Sequence, residues 1–252
     1  MSKNKFPPRK KTPTHNFDDG PVYLYGLHTV RAALDNPLRK KHRLLATKNA
    51  LNRLQESGPT DNVTIVDKAP RELDELLGKD TVHQGVALEV DPVTRSTFKD
   101  IGAFKLVIVL DQVTDPHNVG AILRTACAFG ADAVITTARY APRETGVLAK
   151  SASGALDYVP LIEVRNLGDA INELKMQGVK CLGFDSEAET SLKPRATDEP
   201  IAIVLGAEGK GLRQKTRSLC DEVVKLDMVG QIKSLNVSNA AAIALFAVTA
   251  KK

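Results

Sequence analysis

The sequence predicts an α/β protein in which a parallel sheet, covered on both faces, follows a smaller α/β unit. Three observations predict this. From Lys105 onward, six short apolar runs recur with helical segments between several of them, as in a parallel sheet buried on both sides. Between Val22 and Val90, strand-like runs alternate with short helices, which suggests a small α/β sandwich. Polar and glycine-rich blocks stand at the ends of three later strands, where open α/β sheets hold their ligands.

The elements follow in order. Residues 1–17 carry Lys3, Lys5, Arg9, Lys10 and Lys11 and no acid. The whole net charge of +5 therefore sits in this stretch, and the remaining chain is balanced. Pro7, Pro8 and Pro13 and the lack of an apolar period predict a disordered tail over 1–20. Such an arm is either a phosphate anchor or a solubilising terminus. Val22–Gly26 reads as a strand, His28–Leu34 as a helix ending near Asn36-Pro37, and Arg43–Thr47 as a strand. A helix over Lys48–Glu56, a strand at Val63–Val66, a helix over Pro70–Leu77 and a strand at Val86–Val90 complete a unit at 21–92. Residues 91–104 are polar and aperiodic, and 93–104 is taken as the linker.

The larger unit, 105–252, has strands expected at Val107–Leu110, Ala133–Ile135, Leu161–Val164, Cys181–Phe184, Ile201–Leu205 and Val223–Leu226. Helices are expected over Pro116–Phe129, Leu167–Gln177 and Gly211–Leu219. The last helix, Val237–Val248, is apolar almost all round and is expected to be buried. Cys127, Cys181 and Cys220 form no CxxC pair, so they read as free thiols rather than as a zinc site or a disulfide framework. No apolar run reaches bilayer length and no signal-peptide core is present, so a soluble cytoplasmic protein without a membrane partner is expected.

The chemistry lies in three blocks. In LDQVTDPHNVGAILR (110–124), Asp115-Pro116 fits a helix N-cap and first position. Gly120 and Arg124 are four apart and share a helix face. The glycine would let a ligand approach beneath the guanidinium, which suits a phosphate or a developing oxyanion. The plainer reading is an exposed arginine paired with a carboxylate. Asn118 similarly either serves a ligand or satisfies nearby backbone, and His117 reads as a polar loop residue. In VLGAEGKG (204–211), Leu212 stands where a P-loop needs lysine, and the glycine spacing is wrong for a dinucleotide fingerprint. Glu208 there repels phosphate and suits a cationic or hydroxyl-rich ligand; the plainer reading is a glycine-rich turn with no ligand. In SLNVSNA (234–240), four polar residues crowd the start of the last helix, more than capping needs. They suit backbone recognition of a planar ligand such as adenine.

Together the three blocks resemble the SpoU (TrmH) family of RNA 2′-O-methyltransferases, of the SPOUT class. The first motif is matched by Asn118, Gly120 and Arg124, the second by Gly206, Glu208, Gly209 and Gly211, and the third by Ser234, Leu235, Asn236 and Ser238. The likeness covers residues 105–252. Tyr25–Val30 and His83–Ala87 resemble the small RNA substrate-binding domain that precedes it in many members. The resemblance implies a deep trefoil knot holding S-adenosyl-L-methionine, with Gly206, Leu226, Met228, Ser234 and Leu235 at the cofactor. It implies Arg124 as the catalytic arginine, assisted by Asn118, Glu208 and Asn236, and a homodimer with the site at the subunit interface. Within the family the chain is most similar to bacterial enzymes that methylate a guanosine of 23S rRNA. No metal is needed for such chemistry. Arg39, Lys41 and Arg43, in the cluster RKKHR, would then touch RNA phosphates; the alternative is a solvated loop. The competing functions are methylation of a tRNA ribose and a non-catalytic rRNA-binding SPOUT protein. A Rossmann oxidoreductase lacks its fingerprint.

Overall fold

The computed structural model describes residues 20–93, 96–193 and 199–249. The basic tail lies outside the described residues. The smaller unit is a four-stranded sheet in the order β1-β4-β2-β3, built from β1 (Val22–Tyr25), β2 (Lys41–Ala46), β3 (Thr64–Asp67) and β4 (Val86–Val90). β4 runs antiparallel to both neighbours, and β2 and β3 are parallel. Helices α1 (Leu27–Asp35), α2 (Lys48–Ser57) and α3 (Pro70–Leu77) connect them. Helices α2 and α3 start where the sequence signals. Thr47 caps α2 by accepting from Ala50 N–H, and Pro70 opens α3.

The larger unit is a seven-stranded, wholly parallel sheet in the order β7-β6-β5-β10-β8-β11-β9. Its strands are β5 (Leu106–Asp111), β6 (Ala133–Thr137), β7 (Leu161–Val164), β8 (Lys180–Phe184), β9 (Thr190–Ser191), β10 (Ile201–Gly206) and β11 (Glu222–Lys225). Its helices are α4 (Pro116–Ala128), α5 (Gly146–Ala152), α6 (Leu167–Met176), α7 (Gln214–Leu219) and α8 (Val237–Thr249). The strands alternate between two cores. Leu106, Ile108 and Leu110 of β5 pack on the α4 and α8 side, while Val107 and Val109 face α6. Continuous apolar runs are therefore what a centre strand requires. Each fully buried Leu or Ile contributes about 1.5–3 kcal/mol through the area taken from water.

Four expectations are corrected. A seventh strand, β9, is only two residues long and carries no pattern of its own. Helix α7 begins at Gln214 rather than Gly211, because Gly211 bridges back to Ala207 and Arg213 N–H is drawn to Asp111. Helix α8 is not buried all round: Ile243 and Phe246 are 44% and 60% exposed on its outer side. Gly120 opens no ligand approach. A Cβ there would lie 2.6 Å from Leu148 O and from Ser151 Cβ, so the glycine lets α4 touch α5.

Phe98–Asp100 forms a 3-10 turn capped by Asp100, which accepts from Thr97 N–H and Oγ. Phe98 and Phe104 meet edge to face at 5.4 Å. The two units share one continuous apolar core. A buried ion cluster joins them: Arg39 Nη1 donates to Glu144 at 2.6 Å and Nε to Asp157 at 2.7 Å. All three side chains are at most 2% exposed.

The cysteines are free, as expected. Burial pushes the Cys181 thiol up to about 12 and that of Cys220 up to about 11. A thiol held so high is almost wholly protonated at pH 8, and the thiolate is the reactive form. Iodoacetamide at pH 8, read by mass spectrometry, should leave Cys181 unmodified until the protein is unfolded. Alkylation in the folded state would contradict this burial.

Candidate active site

Because the large sheet is parallel, the loops after β5, β8, β10 and β11 emerge on one edge. Gly206 ends β10 directly opposite Asp111 at the end of β5. A Cβ on Gly206 would overlap the Gly211 carbonyl and lie 2.5 Å from Leu212 N. Only glycine therefore allows the GAEGKG segment to fold back over the strand end. Asp111, with no side-chain exposure, ties down the far end of this loop. It accepts from Arg213 Nε at 2.7 Å and from Arg213 N–H at 3.2 Å.

A cavity of about 250 Å³ opens beside this fold-back, close to the lower end of small-molecule sites. Gly206, Glu208, Leu226, Met228, Ser234 and Leu235 all line it. Its apolar wall and its fringe of main-chain groups suit a flat, partly polar ligand. Asp185 and Glu187, just after β8, line it too. Sequence reading passed over them, although a strand end in an α/β sheet is itself a signal. Asp185 is paired with Arg217 at 3.3 Å.

The three blocks are joined through one amide. Asn236 Nδ2 donates to Asn118 Oδ1 at 2.9 Å and to Glu208 Oε2 at 3.3 Å. Asn236 Oδ1 caps α8 by accepting from Ser238 N–H at 2.9 Å and from its hydroxyl at 2.5 Å. Asn118 sits in the first turn of α4, where Asp115 caps by accepting from His117 N–H. Asn118 therefore orients Asn236, not Arg124. Arg124 lies six positions after Asn118, about 9 Å along the axis and on a different face. Arg124 is exposed, does not line the cavity, and makes no hydrogen bond or ion pair among the described residues.

The basic cluster divides. Arg39 is locked in the buried ion cluster and faces no solvent, so it is no surface phosphate contact. Lys41 Nζ donates to the Leu34 and Asn36 carbonyls. Arg43 is half exposed and holds Glu89 at 2.6 Å. Among the described residues, no helix is long and apolar enough to cross a membrane, and no group of three or more metal-ligating side chains is found.

A parallel α/β sheet with a cavity at its carboxyl edge, lined by glycines, Glu208 and Ser234, is the architecture of a ligand-binding α/β domain. The chain belongs to the SpoU rRNA methylase family, whose model matches residues 105–246. The family of RNA 2′-O ribose methyltransferase substrate-binding domains matches residues 23–96. The chain is similar to the 23S rRNA (guanosine-2′-O-)-methyltransferase RlmB of Pseudomonas putida, with 38% identity over 88% of this chain and 94% of that one. A Burkholderia protein of the same name is 46% identical over 65% of this chain and 68% of its own. Among solved structures, the SpoU methyltransferase AviRb from Streptomyces viridochromogenes in complex with AdoMet superposes with a TM-score of 0.75. That match has 23% identity and covers 90% of this chain and 89% of AviRb.

Proposed function

We propose that this protein transfers a methyl group from S-adenosylmethionine to the ribose 2′-oxygen of a guanosine in 23S rRNA. The observation that carries the reading is the bonding of all three motif blocks through Asn236, beside a cavity lined by Gly206, Leu226, Met228, Ser234 and Leu235. Relatives named for that reaction match the chain across both units. Residues 21–92 are assigned to RNA recognition, 93–104 to the linker and 105–252 to catalysis.

The cradle at Gly206 fits the cofactor, because the missing Cβ lets the 207–211 segment fold back and bring its main-chain groups to the wall of the cavity. Leu226, Met228 and Leu235 would cover the adenine, and Ser234 would reach a polar edge. When bound, S-adenosylmethionine supplies a methyl group already activated on a cationic sulfur. The chain must therefore manage the nucleophile. A ribose hydroxyl is a weak acid and gives up its proton at or near attack. Arg124, a planar cationic guanidinium, stabilises the developing alkoxide and the adjacent phosphate. Glu208 faces the substrate side of the cavity as a candidate proton acceptor. Asn118 and Asn236 hold it in place.

Arg124 and the cavity are separate within one chain, which favours a homodimer in which one subunit's arginine serves its partner's cavity. The exposed Ile243 and Phe246 of α8 give that pairing an apolar face. The trefoil threading belongs to the same proposal. It is supported by the return of α8 from β11, next to the edge strand β9, to pack on α4 and the central β10. Of the basic cluster, Arg43 remains available to RNA.

Gly206→Val should weaken S-adenosylmethionine binding roughly tenfold or more, equivalent to 1.4 kcal/mol, by pushing the 207–211 loop off the strand. Calorimetry reads this, and unchanged affinity would place the cofactor elsewhere. The test of the function itself is labelled-methyl incorporation into 23S rRNA and, separately, into tRNA, with the modified position mapped. Label at one guanosine of 23S rRNA is expected. Label only in tRNA, or none, overturns the proposal.

A further inference from the structure

Two stretches of the N-terminal unit, Tyr25–Thr29 and His83–Gly85, play no part in the cavity. They meet at a single point. Gln84 adopts φ 59°, the left-handed region that side-chain-bearing residues seldom enter. Its Oε1 accepts the Leu27 N–H at 3.1 Å and the Lys150 ammonium at 3.0 Å. Lys150 belongs to α5 of the other unit. It reaches Gln84 by lying across Gly26, where a Cβ would collide with Nζ and sit 3.0 Å from Cδ. The glycine makes the channel, and the lysine fills it.

Among the described residues, no carboxylate answers this ammonium. Its partner is a neutral amide, and desolvation by burial draws its pKa below the usual lysine range with no acid opposing the shift. A partly dehydrated cation without a counter-ion is unfavourable and is relieved by an anion brought from outside. The neighbourhood leads to the catalytic helix. Ser151 Oγ, one residue on, bonds His117 Nδ1 at 3.2 Å, and His117 precedes Asn118 in α4.

We propose that Lys150 grips a backbone phosphate of the substrate RNA at the seam between the two units, with Gln84 as the residue that positions it. The proposal rests on the RNA-methylating reading above. An RNA held by the N-terminal unit must cross this seam to reach α4. The phosphate supplies the anion that the protein omits, and lysine binds it as a point charge.

The test uses the full chain with 23S rRNA. Lys150→Met keeps the aliphatic stem and removes the charge. It should raise the Kd and KM for RNA roughly tenfold or more, the worth of a charged hydrogen bond. It should also lower the slope of log K against log salt by about 0.7–0.9, one phosphate's share. S-adenosylmethionine affinity and Tm should stay unchanged, and Lys150→Arg should restore binding. Gln84→Glu installs an internal counter-ion, so it should weaken RNA binding without loss of Tm. A tie that merely joined the units would instead lower Tm and leave the salt slope alone, and that result overturns the proposal. In the wild-type protein, lysine acylation read by mass spectrometry should fall at Lys150 when RNA is added. Equal reactivity also overturns it. Methyl transfer without this protection sinks only the phosphate site, whereas protection without methyl transfer sinks only the broader reading.

Discussion

Arg124→Ala is expected to abolish methyl transfer, lowering kcat by about 10²–10³-fold or more, the loss seen when one group that stabilises developing charge is removed. The geometry makes the experiment clean. Arg124 is exposed on α4, makes no ion pair among the described residues and does not line the cavity. Its removal should change stability by no more than about 0.5 kcal/mol and leave S-adenosylmethionine affinity as it was. Arg124→Lys should recover little, because a lysine keeps the charge but loses the planar fork that spans phosphate and alkoxide. Single-turnover measurement with labelled cofactor reads the effect. A variant that methylates at the wild-type rate would remove Arg124 from the chemistry. If the homodimer reading is right, mixing Arg124→Ala with Gly206→Val protein should restore partial activity through one intact composite site.

Arg39→Met should be strongly destabilising. The guanidinium is the only described partner that joins Glu144 and Asp157, and all three groups are out of water. Removing it strands two buried carboxylates, a loss of about 3–5 kcal/mol. At about 2–4 °C per kcal/mol for a protein of this size, Tm should fall on the order of 10 °C. The same change should split one thermal transition into two, because Asn36 and Arg39 on one side and Glu144 and Asp157 on the other fasten the two units. The triple variant R39M/E144Q/D157N, with no stranded charge, should regain much of the loss. Calorimetric melting checks both outcomes. A single transition at the wild-type Tm for Arg39→Met would show that the apolar core alone holds the units together.

The elements that were legible from sequence are those whose own residues decide them. Pro70–Leu77, Val86–Val90 and Leu161–Val164 fall where turn residues and apolar runs put them. Helix α5 was not legible. Seven residues with mixed character make no period, and what holds them is packing on α4 and on the N-terminal unit. Gly120 and Arg39 were misread for the same reason. A glycine one turn before an arginine looks like room for a ligand until Leu148 and Ser151 are seen to fill it. An arginine in a basic run looks like surface until carboxylates more than a hundred residues away are seen to enclose it. The cavity residues were legible because glycine, asparagine and serine at strand ends are costly to keep without a use. Asp185 and Glu187 were missed because a carboxylate after a strand resembles any solvated loop.

The two donor protons of Asn236 are both spent, one on Asn118 and one on Glu208, while its oxygen caps α8. Nothing with the same shape can replace it. An aspartate would set acceptor against acceptor, and a leucine would release both loops. Such a residue ties the fates of three distant stretches of chain. A lineage can alter one of them only by altering the others in step, so this pocket should drift as a whole or not at all.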